Sequence, residues 1–176
     1  MRVVFADTGY WVAVLNPRDP LHDRAKEVSR SLGQVRILTS EMVLDELLAA
    51  LSQTPIRNAA ILGVESIYAN PNVEVVPQTS IQFRDAFALF KSRLDKEWSL
   101  TDCASFELMK ARGITEALAH DHHFEQLDLR LCCTNDRKRV THRTRIFSKV
   151  RVQLAVSTVF VWKSAPVLVS RYCQPK

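Results

Sequence analysis

Four acidic residues of this chain have a type and a spacing that would suit metal-dependent chemistry: Asp7, Glu46, Asp102 and Asp121. Carboxylates placed close together repel one another, and each raises the pKa of its neighbours. A hard divalent cation that prefers oxygen ligands, Mg²⁺ or Mn²⁺, would relieve that repulsion. Such a cation orients a water molecule, lowers its pKa and stabilises negative charge on a phosphate. The four acids together therefore predict phosphodiester hydrolysis.

Two of these acids end predicted strands. Asp7 closes the short apolar run RVVFAD (2–7), and Asp121 closes the run ITEALAHD (114–121). Short, β-branched, uniformly apolar runs are typical of buried strands in a parallel sheet. Ligands of such sheets bind beyond the carboxyl ends of the strands, so Asp7 and Asp121 are predicted to border one crevice.

The other two acids are predicted to reach the same crevice from helices. Glu46 lies about one turn into a helix predicted at 41–53, and Asp102 lies in the first turn of a helix predicted at 99–113. The helix at 41–53 is apolar on nearly every face, so we expect it to be buried. Because an unpaired carboxylate is costly to bury, Glu46 is the acid that most needs a partner.

Predicted strands alternate with predicted helices through most of the chain. This alternation is typical of βαβ units, so we expect an α/β protein with a three-layer α/β/α sandwich and a central parallel sheet. Strands are expected at 2–7, 35–38, 73–77, 114–121 and, as a possible fifth, 127–132; helices are expected at 8–16, 21–32, 41–53, 57–70, 80–94 and 99–113.

Each acid also has a simpler structural interpretation. Ser99 and Asp102 have the spacing of a capping box, and a carboxylate in the first turn is favourable to the helix dipole. Asp7 could cap the helix that follows it, and Asp121 could cap a turn. Taken singly, each of these interpretations is at least as good as catalysis. Four independent coincidences of this kind are nevertheless less expected than one shared site.

Composition and charge divide the chain into a body and a basic extension. The chain has 176 residues, of which 47% are hydrophobic, which suits one globular domain. Residues 1–131 hold 14 Lys/Arg and 18 Asp/Glu, whereas residues 132–176 hold 10 Lys/Arg and a single acid. We therefore expect a domain at 1–131 and an extension at 132–176. The extension either attracts phosphate backbones or is a solvated segment without a role.

Several classes of protein are disfavoured. Only four glycines are present and no Gly-rich phosphate-loop motif occurs. No apolar run approaches the roughly 18–20 residues of a membrane helix, so no membrane association is expected. No signal peptide is recognisable and no C-x-x-C spacing occurs, which favours a reduced, cytoplasmic protein. The four cysteines are Cys103, Cys132, Cys133 and Cys173.

Histidines and cysteines near the end of the body offer a zinc alternative. Their spacing fits no standard zinc finger, and neighbouring histidines at a strand end point in different directions. Contact of His122 or His123 with RNA is favoured over zinc binding. The set comprises His120, His122, His123, Cys132, Cys133 and His142.

Four stretches of the sequence also carry a family resemblance. They are FADTGYW (5–11), TSEMVLDELLAAL (39–51), DKEWSLTDCASFELMKARGI (95–114) and ALAHDHHFEQ (117–126). In order and spacing they resemble the four acidic motifs of PIN-domain proteins, and most of all those of the VapC-type toxin branch. The resemblance covers roughly residues 2–130. It implies a PIN-like fold and a Mg²⁺- or Mn²⁺-dependent endoribonuclease, the toxin of a type II toxin–antitoxin pair.

The resemblance also implies roles for individual residues. Asp7 and Asp102 are expected to ligate the cation directly, with Glu46 and Asp121 completing its shell while water attacks an RNA phosphate in line. Three further positions match accessory hydroxyls of the family: Thr8, Thr101 and Ser105. The expected partners are RNA, a small antitoxin that covers the site with a basic residue, and a second copy in a homodimer.

Two other function classes stay open at the level of sequence. From about residue 127 the chain no longer resembles the family and continues as LDLRLCCTNDRKRV. The protein could therefore be a catalytically silent PIN-like module that binds RNA or a partner and a divalent cation without turnover. A purely structural α/β protein would bind no metal, and its four acids would be independent of one another.

Overall fold

A parallel sheet of five strands forms the centre of the described chain. The computed structural model describes residues 1–53, 55–127 and 130–131. The sheet order is β3-β2-β1-β4-β5, and every neighbouring pair is parallel. Its strands are β1 (Arg2–Ala6), β2 (Val35–Ser40), β3 (Val73–Val76), β4 (Glu116–Leu118) and β5 (Arg130–Leu131). The helices are α1 (Thr8–Leu15), α2 (His22–Ser31), α3 (Glu41–Ala50), α4 (Arg57–Ala69), α5 (Ser80–Ser92) and α6 (Leu100–Arg112).

The helices cover the sheet on both faces. Helix α1 contacts α2, α3 and α4, α3 contacts α4, and α5 contacts α6; α3 also meets α6. The connections from β1 to β2 and from β2 to β3 run one way along the sheet, whereas the connection from β3 to β4 runs back. Right-handed crossovers therefore place α1–α4 on one face and α5–α6 on the other. The predicted three-layer α/β/α sandwich is confirmed. It explains why Val4, Phe5 and Ala6 of β1 are all fully buried.

Predicted helix boundaries correspond to observed caps. The Ser40 hydroxyl accepts a hydrogen bond from the Val43 N–H at 3.3 Å, and Ser99 with Asp102 forms a complete capping box at the start of α6. Gly113 ends α6 with φ of 62°, a left-handed conformation that glycine adopts without a steric penalty. These caps fix where the two helices that carry Glu46 and Asp102 begin.

Helix α3 differs from its prediction. It ends at Ala50, and only Val43, Leu44 and Leu47 face the core, whereas Leu48 is 40% exposed. The expectation that this helix is buried on nearly every face is therefore wrong. The physical reason is that the hydrophobic core meets only the side of α3 that carries Val43, Leu44 and Leu47, so Leu48, Ala49 and Ala50 face solvent.

Strand β4 is shorter than predicted. Only Glu116–Leu118 pair within the sheet, in place of the expected 114–121. The Ile114 N–H bonds to the Met109 carbonyl at 2.9 Å, which closes the end of α6 instead of extending the strand. Asp121 therefore lies three residues beyond the strand, in a turn, and not at the strand end itself.

Part of the expected C-terminal structure lies outside the described residues. The possible fifth strand at 127–132 is represented by β5, two residues long. The predicted extension at 132–176, with its cysteines and His142, is not among the described residues, so the boundary at 131 stays a prediction. Among the helices of the described chain, none is long and apolar enough to cross a membrane.

A chain of four aromatic rings connects the segments that carry the acids. The rings of Phe5 and Phe124 stack at 6.4 Å between centroids, and Phe124 meets Phe106 edge-on at 5.1 Å. Phe106 in turn meets Trp98 edge-on at 5.0 Å. Phe5 precedes Asp7 by two residues, Phe124 follows the turn of Asp121, and the other two rings flank Asp102. Packing of these rings therefore fixes the relative positions of three acids.

We expect the substitution Phe124→Ala to lower the free energy of unfolding by about 3–5 kcal/mol, because it empties a fully buried site between two other rings. Urea unfolding followed by far-UV circular dichroism measures the loss. Tyr68→Ala on α4 is the matched control, since that ring is 56% exposed and its removal should cost no more than about 1 kcal/mol. Equal losses in the two variants would contradict the role given to Phe124.

Candidate active site

Asp7 lies at the point where the sheet topology reverses. Strands β1 and β4 are neighbours, but the chain leaves them toward opposite edges of the sheet, which opens a crevice at their carboxyl ends. The Asp7 N–H donates to the Leu118 carbonyl at 3.1 Å, so the ladder between the two strands extends to Asp7 itself. Its carboxylate caps α1 by accepting a long hydrogen bond, 3.5 Å, from the Gly9 N–H.

The Asp7 carboxylate is in an unfavourable environment for a negative charge. The residue is only 8% exposed. Its burial, together with the negative charge of Asp102 and a smaller effect of Glu46, raises the pKa of Asp7 from 3.8 to about 7, against the opposing effect of the N–H groups of Thr8 and Gly9. Three of the four predicted acids therefore influence one another electrostatically across this crevice.

Glu46 is held beside Asp7 by a threonine. The Thr8 hydroxyl donates to Glu46 Oε2 at 2.5 Å, and it also lies 3.5 Å from the Val43 carbonyl. Thr8 is 8% exposed and Glu46 is half-buried on α3. Because Thr8 directly follows Asp7, this bond brings the Glu46 carboxylate to the carboxyl end of β1. The hydroxyl expected at Thr8 from the family pattern thus contacts a predicted site residue.

Asp102 forms the helix cap that its spacing from Ser99 predicted, and its carboxylate also faces the other acids. Its Oδ2 accepts from the Ser99 N–H at 2.7 Å, and the Ser99 hydroxyl accepts from the Asp102 N–H at 3.0 Å. The same Oδ2 lies 3.3 Å from His123 Nδ1. Within the described part of the chain, both contacts use Oδ2 and no hydrogen bond engages Oδ1. The cap therefore orients the carboxylate and leaves one oxygen for another ligand.

Asp121 connects to this group through His123. The Asp121 Oδ1 accepts from the backbone N–H of His123 at 3.0 Å, and Asp121 Oδ2 lies 3.4 Å from the His123 ring nitrogen Nδ1. His122 Nδ1 lies 3.1 Å from Asp121 Oδ1. The side chain of Asp121 is 37% exposed, against 14% for Asp102, so Asp121 forms the open side of the crevice.

His123 is the site residue whose position the sequence did not predict. Its ring lies between Asp102 and Asp121. The sequence favoured contact with RNA for His122 or His123 and placed neither beside these acids. The signal available in the sequence was the spacing Asp-x-His, because an aspartate often accepts a hydrogen bond from the backbone two residues on and folds the chain back. Which acid the ring would then meet depends on α6, some 20 residues earlier in the chain.

The remaining expected hydroxyls differ in their surroundings. Ser105 is fully buried, and its Oγ has no hydrogen-bond partner among the described residues. Thr101 is half-buried in the first turn of α6. Cys103 is fully buried, as expected for a core thiol, and burial raises the pKa of its thiol to about 11. All three lie on α6, the helix whose first turn carries Asp102.

The donor set of the crevice fits a divalent cation. The four carboxylates come from four separate segments, and the most buried of them, Asp7, carries a raised pKa through burial and the charge of Asp102. Among the described residues, the potential ligand atoms that lie within 4.8 Å of one another are those of Asp121, His122 and His123. A cation beside Asp7 would favour its charged form by direct attraction. Metal ligation and catalysis by Asp7, Glu46, Asp102 and Asp121 stay predictions at this point.

Comparison with known proteins decides the family. The family model of the PIN domain matches residues 4–129. The chain belongs to the PIN-domain family. The match extends over all described helices and the first four strands, and it ends before the basic extension. The resemblance inferred from the four acidic motifs is confirmed.

Relatives within the PIN family show to which branch of the family this chain belongs. The 23S rRNA-specific endonuclease VapC20 of Mycobacterium tuberculosis is 30% identical over 122 residues, which span 69% of this chain and 92% of the relative. The crystal structure of VapC20, described as a sarcin–ricin loop cleaving toxin, superposes with a TM-score of 0.66 at 28% identity, over 72% of this chain and 95% of the other. This relationship confirms the predicted class, a VapC-type ribonuclease.

A more distant structure supports the fold alone. VapBC2 of Rickettsia felis, solved with a DNA fragment from its promoter, matches with a TM-score of 0.54 at 13% identity. The match covers 73% of this chain and 96% of the other.

The stability of the cation-free protein should depend on pH through Asp7. Its folded pKa of about 7 exceeds the ordinary 3.8, so the native state binds a proton more tightly than the unfolded state. Stability from this group is present at low pH and is lost as the pH rises from about 4 to about 7. The full effect is about 4 kcal/mol, from about 1.4 kcal/mol per pKa unit.

The variant Asp7→Asn keeps the helix cap and removes this titration. In EDTA, its free energy of unfolding relative to wild type should rise by about 2–4 kcal/mol between pH 5 and pH 8. Urea unfolding at four pH values measures the difference. Asp85→Asn, at an exposed position of α5, is the matched control for the loss of an aspartate carboxylate. A pH-independent difference for Asp7→Asn would contradict the assignment.

Proposed function

We propose that Asp7, Glu46, Asp102 and Asp121 bind Mg²⁺ or Mn²⁺ and use it to hydrolyse RNA phosphodiester bonds. The observation that carries the proposal is the Asp7 carboxylate, which is buried against the negative charges of Asp102 and Glu46. In its charged form such a group is unfavourable to the fold despite its role as a helix cap, whereas a divalent cation would use it as a ligand. The VapC20 relationship supports the same chemistry, since VapC20 is named for endonuclease action on 23S rRNA.

The surroundings of each acid suggest its role. Asp7 and Asp102 are the more buried carboxylates and are proposed as direct ligands; Glu46 and Asp121 are more exposed and are proposed to complete the shell. When bound, the cation lowers the pKa of a coordinated water and stabilises charge on the phosphate. Thr8 holds Glu46 in place, and Ser99 holds Asp102, so neither carboxylate needs to reorganise on binding.

The first test is cleavage of an RNA hairpin carrying the 23S rRNA sarcin–ricin loop, chosen because VapC20 is described as cleaving it. With Mg²⁺ or Mn²⁺, wild type should cleave, and Asp102→Asn should cleave at least about 100-fold more slowly, because the loss of one ligand removes several kcal/mol of charge stabilisation. Asparagine keeps the size of the side chain and its cap to Ser99.

Asp45→Asn is the matched control, because Asp45 is exposed and adjacent to Glu46 on α3. Its rate should equal that of wild type. Equal cleavage by wild type and Asp102→Asn would contradict the four-acid site and leave Asp102 as a helix cap. Mn²⁺ binding without cleavage of this hairpin or of total RNA would favour the alternative, a catalytically silent binding module.

An antitoxin is the second proposed partner, and the cytoplasm is the proposed location. The crevice concentrates negative charge beside helix α6, which suits the insertion of an arginine or lysine from another protein. Such a contact would occupy the position of the cation and would inhibit the enzyme. This proposal follows from the same acids and from the VapC relationship.

A homodimer is proposed through helix α5. Phe83, Phe87 and Phe90 follow one another at helical spacing on α5 and are 47%, 43% and 42% exposed. Leu94, 90% exposed, lies just beyond the end of the helix. The rings of Phe83 and Phe87 stack at 6.3 Å, which makes a continuous apolar surface. Monomeric proteins rarely leave such a stripe in water, and a second copy of the chain is its proposed partner.

The dimer is tested by light scattering after size-exclusion chromatography. Wild type should have twice the mass of the chain, and Phe87→Glu should shift it toward the monomer, since a charge in an apolar interface is costly. Ile61→Glu on α4 is the control, because Ile61 is 45% exposed but lies on the other face of the sheet. A wild-type monomer, or a Phe87→Glu dimer of unchanged stability, would refute the proposed surface.

A further inference from the structure

The imidazole ring of His123 lies between two of the carboxylates. Its Nδ1 is 3.3 Å from Asp102 Oδ2 and 3.4 Å from Asp121 Oδ2. The side chain is 13% exposed, which is as low as that of Asp102. A ring nitrogen thus shares the crevice with the oxygen ligands already assigned to the cation.

The residues before and after His123 in the sequence fix the position of this ring. The His123 N–H donates to Asp121 Oδ1 at 3.0 Å, which closes a tight turn. The following residue, Phe124, is fully buried between the rings of Phe5 and Phe106. The backbone is therefore held on both sides of His123, and its side chain is directed into the crevice. Binding of a ligand then requires little further ordering of the chain.

The distances fit neighbouring ligands of one ion. Ligands about 2.1 Å from an octahedral cation lie about 3.0 Å from each other when adjacent. Both separations from His123 Nδ1 exceed this value by only a few tenths of an ångström. His123 Nδ1 is thus the atom that both carboxylates approach, and ligand atoms of His123, His122 and Asp121 lie within 4.8 Å of one another. A cation bound beside Nδ1 would draw Asp102 and Asp121 toward it.

We propose that His123 Nδ1 is a direct ligand of the divalent cation held by the four acids, an inference that rests on the function proposed above. A nitrogen donor among oxygen donors shifts the preference of a site from Mg²⁺ toward a transition-metal dication. The nitrogen donor would therefore increase the preference of the site for Mn²⁺ or a similar ion over Mg²⁺, beyond the preference of the carboxylates alone.

His122 is the matched alternative. Its Nδ1 approaches Asp121 Oδ1 at 3.1 Å, but its side chain is 71% exposed and it has no contact with Asp102 among the described residues. The two rings are adjacent in sequence, and their centroids are 4.6 Å apart. A substitution at His122 therefore tests whether the loss of any nearby imidazole changes metal binding. The same substitution at His123 removes the proposed ligand itself.

The experiment uses Mn²⁺ as the probe, bound to the full chain. Electron spin-echo spectroscopy of the Mn²⁺ complex should show modulation from a directly bound ¹⁴N in wild type and in His122→Phe, and none in His123→Phe. By calorimetry, His123→Phe should reduce the preference for Mn²⁺ over Mg²⁺, the ratio of the two dissociation constants, by about tenfold. Phenylalanine keeps the ring volume, and circular dichroism checks that each variant is folded.

The possible outcomes distinguish a failure of this inference from a failure of the proposed function. Mn²⁺ that binds wild type but not Asp102→Asn, with no ¹⁴N modulation or with modulation lost only in His122→Phe, would overturn the role of His123 and leave the acid site intact. A wild-type chain that binds no Mn²⁺ at all would overturn both. An unchanged Mn²⁺ preference in a folded His123→Phe would also refute the inference.

Discussion

The burial of the Asp7 carboxylate beside two other negative charges is the constraint on which the rest of the site depends. Left alone, this arrangement favours a protonated Asp7, because burial and the charge of Asp102 both raise its pKa. The surrounding groups do not neutralise it: Thr8 is bonded to Glu46, and Ser99 to Asp102. They hold the carboxylates in place, which keeps a region of strong negative potential open to a positive ligand.

The apolar core supplies the rigidity that this repulsion requires. Parallel pairing of β1 with β4 places Asp7 at the reversal point of the sheet. The four-ring chain from Phe5 to Trp98 then fixes the two other segments against that strand. Repulsion among the acids cannot push them apart without disturbing this packing, and close-packed cores resist such displacement. The stability of the core is thus what maintains an unfavourable electrostatic arrangement at its edge.

The order of the elements could be predicted from the sequence, because short apolar runs, caps and terminators are local signals; the role of the four acids stays a prediction. The burial of α3 could not be predicted, since periodicity shows which residues are apolar but not how many neighbours cover them; Leu48 remains in solvent. The place of His123 between Asp102 and Asp121 was missed for a related reason. It depends on two segments that meet only in the fold.

The most direct test of the account is the effect of Mn²⁺ on the free energy of unfolding at pH 8, compared between wild type and Asp7→Asn. If the acids share one cation, Mn²⁺ at about 100 times its dissociation constant should stabilise wild type by about 2.7 kcal/mol. The same concentration should stabilise Asp7→Asn far less, because the most buried ligand has lost its charge. Equal stabilisation of both proteins, or none in wild type, would contradict a shared cation site at the end of β1.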